Sequence, residues 1–395
     1  MELTTKQREG LEIAVERHRA GCKYTVISGY AGTGKSTLVR WIINALNVQE
    51  DRVAYATFTG KAAEVLRKMG NKNSCTLHRL LYDHVPRPGG GFYRKKKPAI
   101  DYDIVVVDEI SMVPIEMVDL LFSHKVYVLC LGDPAQLSPI DKTADNHLLD
   151  NPHVFLDEIM RQEEGSEIIQ LSMKIRNHEP LELFQGKNVQ VIDKSQLVSG
   201  VLTWADQIIV AKNNTRIEYN NKLREMLGYG PEPQEGDKVV CLRNYWDECS
   251  VEERDALVNG TIGYLKHPTN KTIFFPKFLK LQCGKSVIAT TADIVTPEGD
   301  YYPYIDCDKK MIVEGEKCMD WRDSYALGKL KDRYGDLVPK EITYGYAITC
   351  WKAQGSQWDK VLLFEENFPF DKEEHFRYLY TGITRAINKI VVVRK

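Results

Sequence analysis

The octapeptide Gly29-Tyr30-Ala31-Gly32-Thr33-Gly34-Lys35-Ser36 fits the pattern G-x-x-x-x-G-K-[ST]. It follows residues 24–28, an apolar and β-branched run that predicts a buried strand. Beyond it, apolar residues at helical spacing share one face: Leu38, Val39, Ile42, Ile43 and Leu46. Glycines let backbone N–H groups wrap phosphates, and a helix N-terminus adds a favourable dipole. The stretch therefore predicts a phosphate-binding loop between a strand and a helix.

The side chains at the end of this loop have distinct predicted tasks. Lys35 places a positive charge on the β- and γ-phosphates of a nucleoside triphosphate, and the Ser36 hydroxyl ligates Mg²⁺. The predicted nucleotide-binding residues are Gly29, Gly32, Thr33, Gly34, Lys35, Ser36 and Thr37.

A pair of carboxylates follows a second buried run, residues 104–107. Asp108, at the end of that strand, can hold Mg²⁺ opposite Ser36, and Glu109 can orient or deprotonate an attacking water. Alone, such a pair is weak evidence, since carboxylates often cap the next helix. Together with the phosphate loop it predicts hydrolysis of a nucleoside triphosphate, with ATP and Mg²⁺ as the expected ligands.

The composition is that of an ordinary globular protein. The chain has 395 residues, of which 43% are hydrophobic and 27% charged, and a core of that size suits two or three packed units. No apolar run is long enough to span a membrane, and no signal-peptide pattern opens the sequence. Nine cysteines without a C-x-x-C pair argue against a zinc site or disulfide framework and favour the reducing cytoplasm. A net charge of −2 leaves a nucleic-acid partner open, because binding needs only a local basic groove.

The order of the predicted elements indicates an α/β fold with parallel sheets. Buried runs alternate with helical patterns in two separate clusters, which predict two α/β domains. Between the clusters, roughly over residues 235–339, prolines and glycines punctuate short strand patterns. This texture predicts a β-rich insertion.

Five further stretches, in this order, resemble the motifs of superfamily 1 helicases: Gln7 in Leu3–Gln7, Asp108–Met112, Gly132–Leu137, Lys352–Ser356 and Tyr380–Ala386. The Asp-Glu-x-Ser-Met form resembles class B, the RecD-like and bacteriophage Dda-type branch that moves 5′ to 3′ on single-stranded DNA. The resemblance extends from Gln7 to Arg385, almost the whole chain.

This resemblance implies two RecA-like P-loop domains with parallel sheets, a small pin insertion and a β-rich SH3-like insertion. The implied boundaries are residues 1–81 and 99–158 for the first RecA-like domain and 82–98 for the pin. The second RecA-like domain takes residues 159–234 and 340–395, and the SH3-like insertion takes 235–339.

The resemblance also implies roles around the nucleotide. Gln7 contacts adenine, Gln136 couples the γ-phosphate to the DNA site, and Gly355 approaches the nucleotide. Arg161 and Arg385 serve as arginine fingers from the second domain, although Arg161 could instead form a surface ion pair. A guanidinium there offsets the charge on the transferred phosphoryl group, and its arrival from another domain couples hydrolysis to domain closure.

A third set of residues is implied to contact DNA: Thr57, Phe58, Thr59, Lys61, His78, Asn213, Asn214, Thr349, Trp351 and Lys352. Phe58 could instead be a core aromatic at a strand end, and His78 a structural histidine. Trp351 departs from the family, which usually has histidine at this position. Its indole could stack on a base or pack internally.

Residues 86–98 occupy the place of the pin that splits the duplex in Dda-type enzymes. Phe92 is the predicted wedge, with Tyr93 as the second choice, and the basic residues 94–97 could hold phosphates. The alternative is a solvated loop with a run of charges.

The expected protein is a monomeric, cytoplasmic, ATP-driven and Mg²⁺-dependent 5′ to 3′ DNA helicase with no membrane contact. Its expected partners are single-stranded DNA, duplex junctions and proteins of DNA replication or recombination, including single-stranded-DNA-binding proteins. Three alternatives stay open: a translocase that displaces proteins with little unwinding, an RNA helicase, and a regulatory ATPase without motor activity.

Overall fold

The computed structural model describes residues 3–86, 92–138, 145–160, 165–251, 256–328, 337–367 and 371–395. The chain forms two compact units. The first consists of Met1–Tyr82, Lys96–Ala211 and Thr349–Lys395, and the second of Asp83–Lys95 and Lys212–Ile348.

The first unit contains the sheet that carries the phosphate loop. Its six strands lie in the order β3-β2-β6-β7-β1-β8 and all neighbouring pairs are parallel. The strands are β1 (Tyr24–Gly29), β2 (Val53–Thr57), β3 (Ser74–Thr76), β6 (Ile104–Val107), β7 (Tyr127–Gly132) and β8 (Val154–Leu156). Because β1 and β6 both pair with β7, their carboxyl ends are neighbours, which brings the phosphate loop beside the acidic pair.

A second six-stranded sheet has the order β19-β11-β20-β21-β10-β9. Its strands are β9 (Phe184–Gln185), β10 (Val189–Asp193), β11 (Gln207–Val210), β19 (Ala347–Thr349), β20 (Trp358–Phe364) and β21 (Ala386–Arg394). The central pairs are parallel, whereas the edge strand β9 is antiparallel to β10. β19 spans the point at which the chain passes from the second unit back to the first. The predicted α/β class with two parallel sheets is confirmed.

Helices pack on these sheets through their apolar faces. On the helix after the phosphate loop, Leu38 and Ile42 are fully buried in the core beneath the first sheet, as the helical spacing predicts. The described helices are α1 (Thr5–Arg19), α2 (Lys35–Ala45), α3 (Gly60–Lys68), α4 (Leu77–Leu81), α5 (Ile115–Phe122), α6 (Glu167–Arg176), α7 (Ser199–Trp204), α8 (Asn213–Met226), α9 (Lys309–Glu314), α10 (Trp321–Gly328), α11 (Cys350–Ala353) and α12 (Lys372–Ile383).

The second unit is rich in β-structure. An antiparallel sheet has the order β17-β16-β15-β12-β18, with strands β12 (Lys238–Cys241), β15 (Ile262–Phe274), β16 (Ser286–Val295), β17 (Tyr301–Asp308) and β18 (Ile342–Tyr344). Two shorter ribbons pair β13 (Tyr245–Cys249) with β14 (Ala256–Leu257) and β4 (Tyr82–Pro86) with β5 (Phe92–Lys96). The second of these ribbons occupies the predicted pin segment.

Among the described helices, none combines the length and the apolar character that a membrane crossing requires. The cysteines that the structure describes form no disulfide.

Candidate functional site

The phosphate loop has the backbone shape that its glycines allow. β1 ends at Gly29, α2 begins at Lys35, and Gly32 and Gly34 both have φ +76°. A Cβ at Gly34 would lie 2.5 Å from Gln7 Nε2, so this position has neither the backbone freedom nor the space for a side chain. The loop therefore presents bare backbone at the N-terminus of α2.

The loop side chains either bind backbone carbonyls of the loop or line the cleft beside it. Lys35 Nζ donates to the carbonyl oxygens of Gly29 at 2.6 Å and Tyr30 at 3.0 Å. Thr33 is buried and its hydroxyl donates to the Tyr30 carbonyl at 2.8 Å. Ser36 and Thr37 occupy the first turn of α2 and line the adjoining cleft.

Gln7, the predicted adenine contact, is buried beneath the loop. Its Nε2 donates to the Thr33 carbonyl at 3.0 Å, and its Oε1 accepts from the Thr4 backbone N–H at 3.1 Å. Thr4 caps helix α1 and so fixes the Gln7 side chain. The structure thus places Gln7 beside the phosphate loop, with one amide proton and one lone pair left for a further contact.

The acidic pair follows β6 at the floor of the cleft. The Glu109 backbone N–H donates to Asp108 Oδ1 at 2.9 Å, and Glu109 has φ +53°, a left-handed conformation that non-glycine residues rarely adopt. Burial raises the pKa of the Asp108 carboxyl, and the positive charge of Lys35 opposes that rise. Burial likewise raises the pKa of Glu109, against the effect of Arg385.

Arg385 reaches this cleft from the second sheet. Arg385 is 4% exposed, and its Nη1 lies 3.9 Å from Glu109 Oε1. Nε donates to the Thr381 carbonyl at 3.1 Å, which holds the side chain against the end of α12. The structure therefore brings the predicted arginine finger and the predicted catalytic carboxylate together.

Gln136 and Gly355 complete the predicted nucleotide site. Gln136 is buried after β7, and its Oε1 has no hydrogen-bond partner among the described residues. Gly355 precedes β20, and like Gln136 it lines the cleft. A buried amide oxygen without a partner inside a cleft suits contact with a ligand or a bound water.

Most of these residues line one cleft of about 430 Å³, a volume in the usual range for small-molecule sites. The predicted nucleotide contacts Gln7, Gly29 and Thr33 are not part of its lining. Both sheets of the first unit contribute to its lining: the phosphate loop with Lys35, Ser36 and Thr37, Asp108, Glu109 and Gln136 from the first, and Gly355, Thr384 and Arg385 from the second. Arg161, the other predicted finger, lies outside the described residues.

The donor set of the cleft fits Mg²⁺. Ser36 supplies a hydroxyl oxygen and Asp108 a carboxylate oxygen, and Mg²⁺ binds through one or two such protein ligands together with phosphate oxygens and water. Within the part of the chain that the structure describes, no group of three or more His, Cys, Asp or Glu side chains could hold a metal.

The predicted DNA-contacting residues of the first sheet have structural contacts of their own. The Thr57 hydroxyl donates to the Thr59 carbonyl at 2.8 Å, and the Thr59 hydroxyl caps α3. Phe58 packs against the core with its ring centroid 5.9 Å from that of His78, which is 9% exposed. Lys61 is half-buried in the first turn of α3.

The other predicted DNA contacts are spread over both units. Thr349 and Lys352 are half-buried at α11, and the Trp351 indole N–H donates to the Ser138 carbonyl at 3.2 Å. In the second unit, Asn213 and Asn214 are exposed at the start of α8. Phe92 and Tyr93 open strand β5, and residues 87–91 of the predicted pin lie outside the described residues.

Sequence reasoning missed the role of Tyr380, which lies in the motif Tyr380–Ala386 but was not singled out. Its hydroxyl accepts from the Ala31 backbone N–H of the phosphate loop at 2.9 Å and donates to Asp133 Oδ2 at 2.7 Å. Thr381 also reaches the first sheet, because its hydroxyl accepts from the Leu137 N–H at 2.8 Å. Membership of a motif was the only available signal, since both partners are distant in sequence.

Two family models match the chain. Residues 2–198 match an AAA domain, and residues 344–393 match the UvrD-like helicase C-terminal domain. Among solved structures, the Pif1 helicase from Bacteroides in complex with ADP-AlF3 and ssDNA aligns with a TM-score of 0.53 at 17% identity, covering 99% of this chain and 92% of that one. That likeness shows the fold, with two RecA-like domains.

Curated relatives match over nearly the whole chain. The ATP-dependent RecD2 DNA helicase of Deinococcus radiodurans is 32% identical over 399 residues, which are 96% of this chain and 48% of that protein. The chain thus spans about half of that relative. The RecD subunit of the RecBCD enzyme from Buchnera aphidicola is 30% identical over 436 residues, which are 92% of this chain and 68% of that subunit. Because the identity to the Buchnera subunit extends over 92% of this chain and 68% of that subunit, this chain belongs to the RecD-like family of superfamily 1 class B helicases.

Proposed function

We propose that this chain is an ATP-dependent DNA helicase that moves 5′ to 3′ along single-stranded DNA. The observation that carries the proposal is Arg385, which comes from the second sheet yet lies 3.9 Å from Glu109 in the cleft lined by Lys35. A cleft of this kind makes hydrolysis depend on how the two sheets approach each other.

The catalytic roles follow from the chemistry of phosphoryl transfer. Charge on the transferred phosphoryl group is offset by Lys35 and Arg385, and Glu109 orients the attacking water. Gln136, with its unpartnered buried oxygen, is placed to sense the γ-phosphate or that water. The cleft closes when ATP binds and opens again after hydrolysis. The protein then binds the strand alternately tightly and loosely.

Mg²⁺ is proposed to be held by Ser36 and Asp108 together with the nucleotide. When bound, it neutralises negative charge on the phosphate oxygens. The two residues supply the hard oxygen ligands that this ion prefers, and they line the same cleft.

DNA as the polymer is supported by the relatives. The Deinococcus protein is named a DNA helicase, and the Bacteroides structure contains ssDNA. The proposed contacts are those predicted from the sequence, with single-stranded DNA and duplex junctions as substrates. Phe92, on the ribbon formed by β4 and β5, is the proposed wedge at the junction.

The first test compares the ATPase rate with and without single-stranded DNA in the wild type and Lys35→Ala. We expect DNA to stimulate the wild-type rate. Lys35→Ala should lower it roughly a hundredfold or more, because the positive charge that offsets the negative charge of the transferred phosphoryl group is lost. Lys72→Ala, which changes an exposed lysine of the same unit, is the control and should behave as wild type. A rate indifferent to DNA would favour a regulatory ATPase.

The second test measures unwinding of duplexes that carry either a 5′ or a 3′ single-stranded tail, made of DNA or RNA. The proposal requires a preference for the 5′ DNA tail. A 3′ preference would overturn the direction, and efficient loading on RNA tails would overturn the DNA assignment.

Phe92→Ala tests the proposed wedge. It should impair unwinding while sparing DNA-stimulated ATPase, and unchanged unwinding would reject the wedge.

A further inference from the structure

Tyr380 joins the two sheets of the first unit through one hydroxyl group. The residue lies on α12, is 1% exposed, and does not line the nucleotide cleft. Its oxygen accepts from the Ala31 N–H of the phosphate loop at 2.9 Å, and its proton goes to Asp133 Oδ2 at 2.7 Å. The hydroxyl thus makes two hydrogen bonds at once, one with a backbone N–H of the loop and one with the carboxylate that follows β7.

Asp133 links Tyr380 to the turn that carries Gln136. Asp133 is 2% exposed. Its side-chain Oδ1 accepts from the Ala135 N–H at 3.0 Å, and its backbone carbonyl accepts from the Gln136 N–H at 3.3 Å. Thr381, next to Tyr380, accepts from the Leu137 N–H at 2.8 Å. Two adjacent residues of α12 therefore fix both sides of the Gln136 backbone.

The same helix end carries the arginine finger. Arg385 Nε donates to the Thr381 carbonyl at 3.1 Å, so the position of the guanidinium follows the register of α12 against the first sheet. A phenol is already protonated at neutral pH, and burial raises the pKa of Tyr380 further, so its hydroxyl can donate to Asp133.

From these contacts we infer that Tyr380 is a positioning residue for ATP hydrolysis. Its hydroxyl sets the register of α12 on the phosphate loop, and thereby the positions of Arg385 and Gln136 around the phosphate. The inference rests on the proposed ATPase function and deepens it. Tyr380 itself touches neither the cleft nor the reacting atoms, so the catalytic step should depend on it more strongly than nucleotide affinity does.

The test is Tyr380→Phe, which keeps the buried ring and removes only the hydroxyl. We expect kcat of DNA-stimulated ATP hydrolysis to fall about tenfold or more, because small misplacements of catalytic groups are costly, while KM for ATP stays within about twofold. Amide hydrogen exchange without nucleotide should be faster in the 29–34 peptide, because Ala31 loses its acceptor.

Tyr378→Phe is the matched control. Tyr378 lies on the same helix, is fully buried, and donates its hydroxyl proton to the Phe364 carbonyl within the second sheet. Removing the Tyr378 hydroxyl costs one buried hydrogen bond to a backbone carbonyl but leaves the phosphate loop untouched. Tyr378→Phe should lower thermal stability and keep the wild-type kcat. If both variants lower kcat equally, the role of Tyr380 is merely structural and the inference fails.

A double-mutant cycle with Asp133→Asn examines the connection itself. If Tyr380 acts through Asp133, the double variant should be no slower than the slower single variant, because both changes break one network. Additive losses would contradict the inference. A wild type that hydrolyses no ATP would overturn the proposed function instead, and faster exchange at Ala31 in Tyr380→Phe would still show that the contact exists.

Discussion

Gly355 combines a left-handed backbone with a close approach to a neighbouring helix. Its φ is +72°, and an added Cβ would lie 2.9 Å from Ala62 Cβ and 3.2 Å from Thr59 Oγ1. Gly355→Ala should therefore separate the second-sheet side of the cleft from α3 and lower DNA-stimulated ATPase about tenfold, since a displacement near 1 Å is expensive in catalysis. The strained conformation should also cost about 1–3 kcal/mol of stability. Steady-state kinetics and thermal unfolding measure the two effects.

Gly70→Ala separates strain from the clash. Gly70 has φ +95° at the end of α3, but nothing lies within 4 Å of an added Cβ. This variant should lose stability and keep its ATPase rate. Equal losses of activity in the two variants would mean that backbone strain, rather than the contact with α3, explains the effect of Gly355→Ala.

The residues that sequence could identify are those whose chemistry is written in a local pattern. Lys35, Asp108 and Arg385 each stand in such a pattern, and the structure places all three in one cleft. Tyr380 was beyond reach because its partners, Ala31 and Asp133, are 349 and 247 residues away. A hydrogen bond between such distant residues is a property of the packed sheets, and no spacing in the sequence encodes it.

One carboxylate of helix α6 binds the backbone at the start of strand β10. Glu167 accepts the backbone N–H groups of Asn188 at 2.7 Å, Val189 at 3.1 Å and Lys187 at 3.2 Å. These backbone hydrogen bonds hold the pKa of Glu167 below its ordinary value of 4.5. Glu167→Gln leaves one oxygen to accept and turns an amide group toward backbone donors, so we expect a lower unfolding temperature at pH 7.

The pH dependence of that loss has a defined sign. A lowered folded-state pKa means that the stabilisation is complete above the unfolded pKa and disappears as the pH falls through the folded value. The difference in unfolding temperature between wild type and Glu167→Gln should thus be constant above about pH 6 and shrink below about pH 4.5. Glu182→Gln, an exposed carboxylate of the same region, should show no difference. A gap that persists unchanged into acid would reject the role of the charge.

Strand positions were predictable wherever apolar runs mark buried segments, and strand ends were not. The run 361–364 predicts the buried half of β20. The strand begins at Trp358, because Trp358 and Lys360, both half-buried, also pair with β21. β9, Phe184–Gln185, is exposed on both residues and forms only through its pairing with β10. Edge strands of this kind form where a neighbouring strand has backbone N–H and C=O groups left to pair, and hydrophobic periodicity does not reveal such groups.

Within the second unit, a buried ion pair joins helix α8 to the residue that precedes strand β12. Arg224 on α8 meets Asp237 at 2.8 Å and 3.0 Å, with side chains 5% and 0% exposed, and its guanidinium lies over the Tyr344 ring. Residues 212–234 belong to the β-rich second unit, whose longer segment runs from Lys212 to Ile348. The sequence predicts the start of the insertion near Glu235, where the composition changes. A tertiary contact made by a helix leaves no mark in the composition, so the packing of α8 could not be predicted in this way.

Asp237→Asn should loosen the second unit while leaving the first intact. Removing one charge of a buried pair leaves the other without its partner, and such changes typically cost about 3–5 kcal/mol. Hydrogen exchange should therefore accelerate in peptides from residues 212–348, whereas peptides around Lys35 and Asp108 should keep wild-type protection. Glu235→Gln is the control, because its exposed pair with Lys266 at 3.2 Å should be worth about 1 kcal/mol or less. Acceleration spread evenly over both units would mean that they open together, and that the pair holds the whole molecule rather than one part of it.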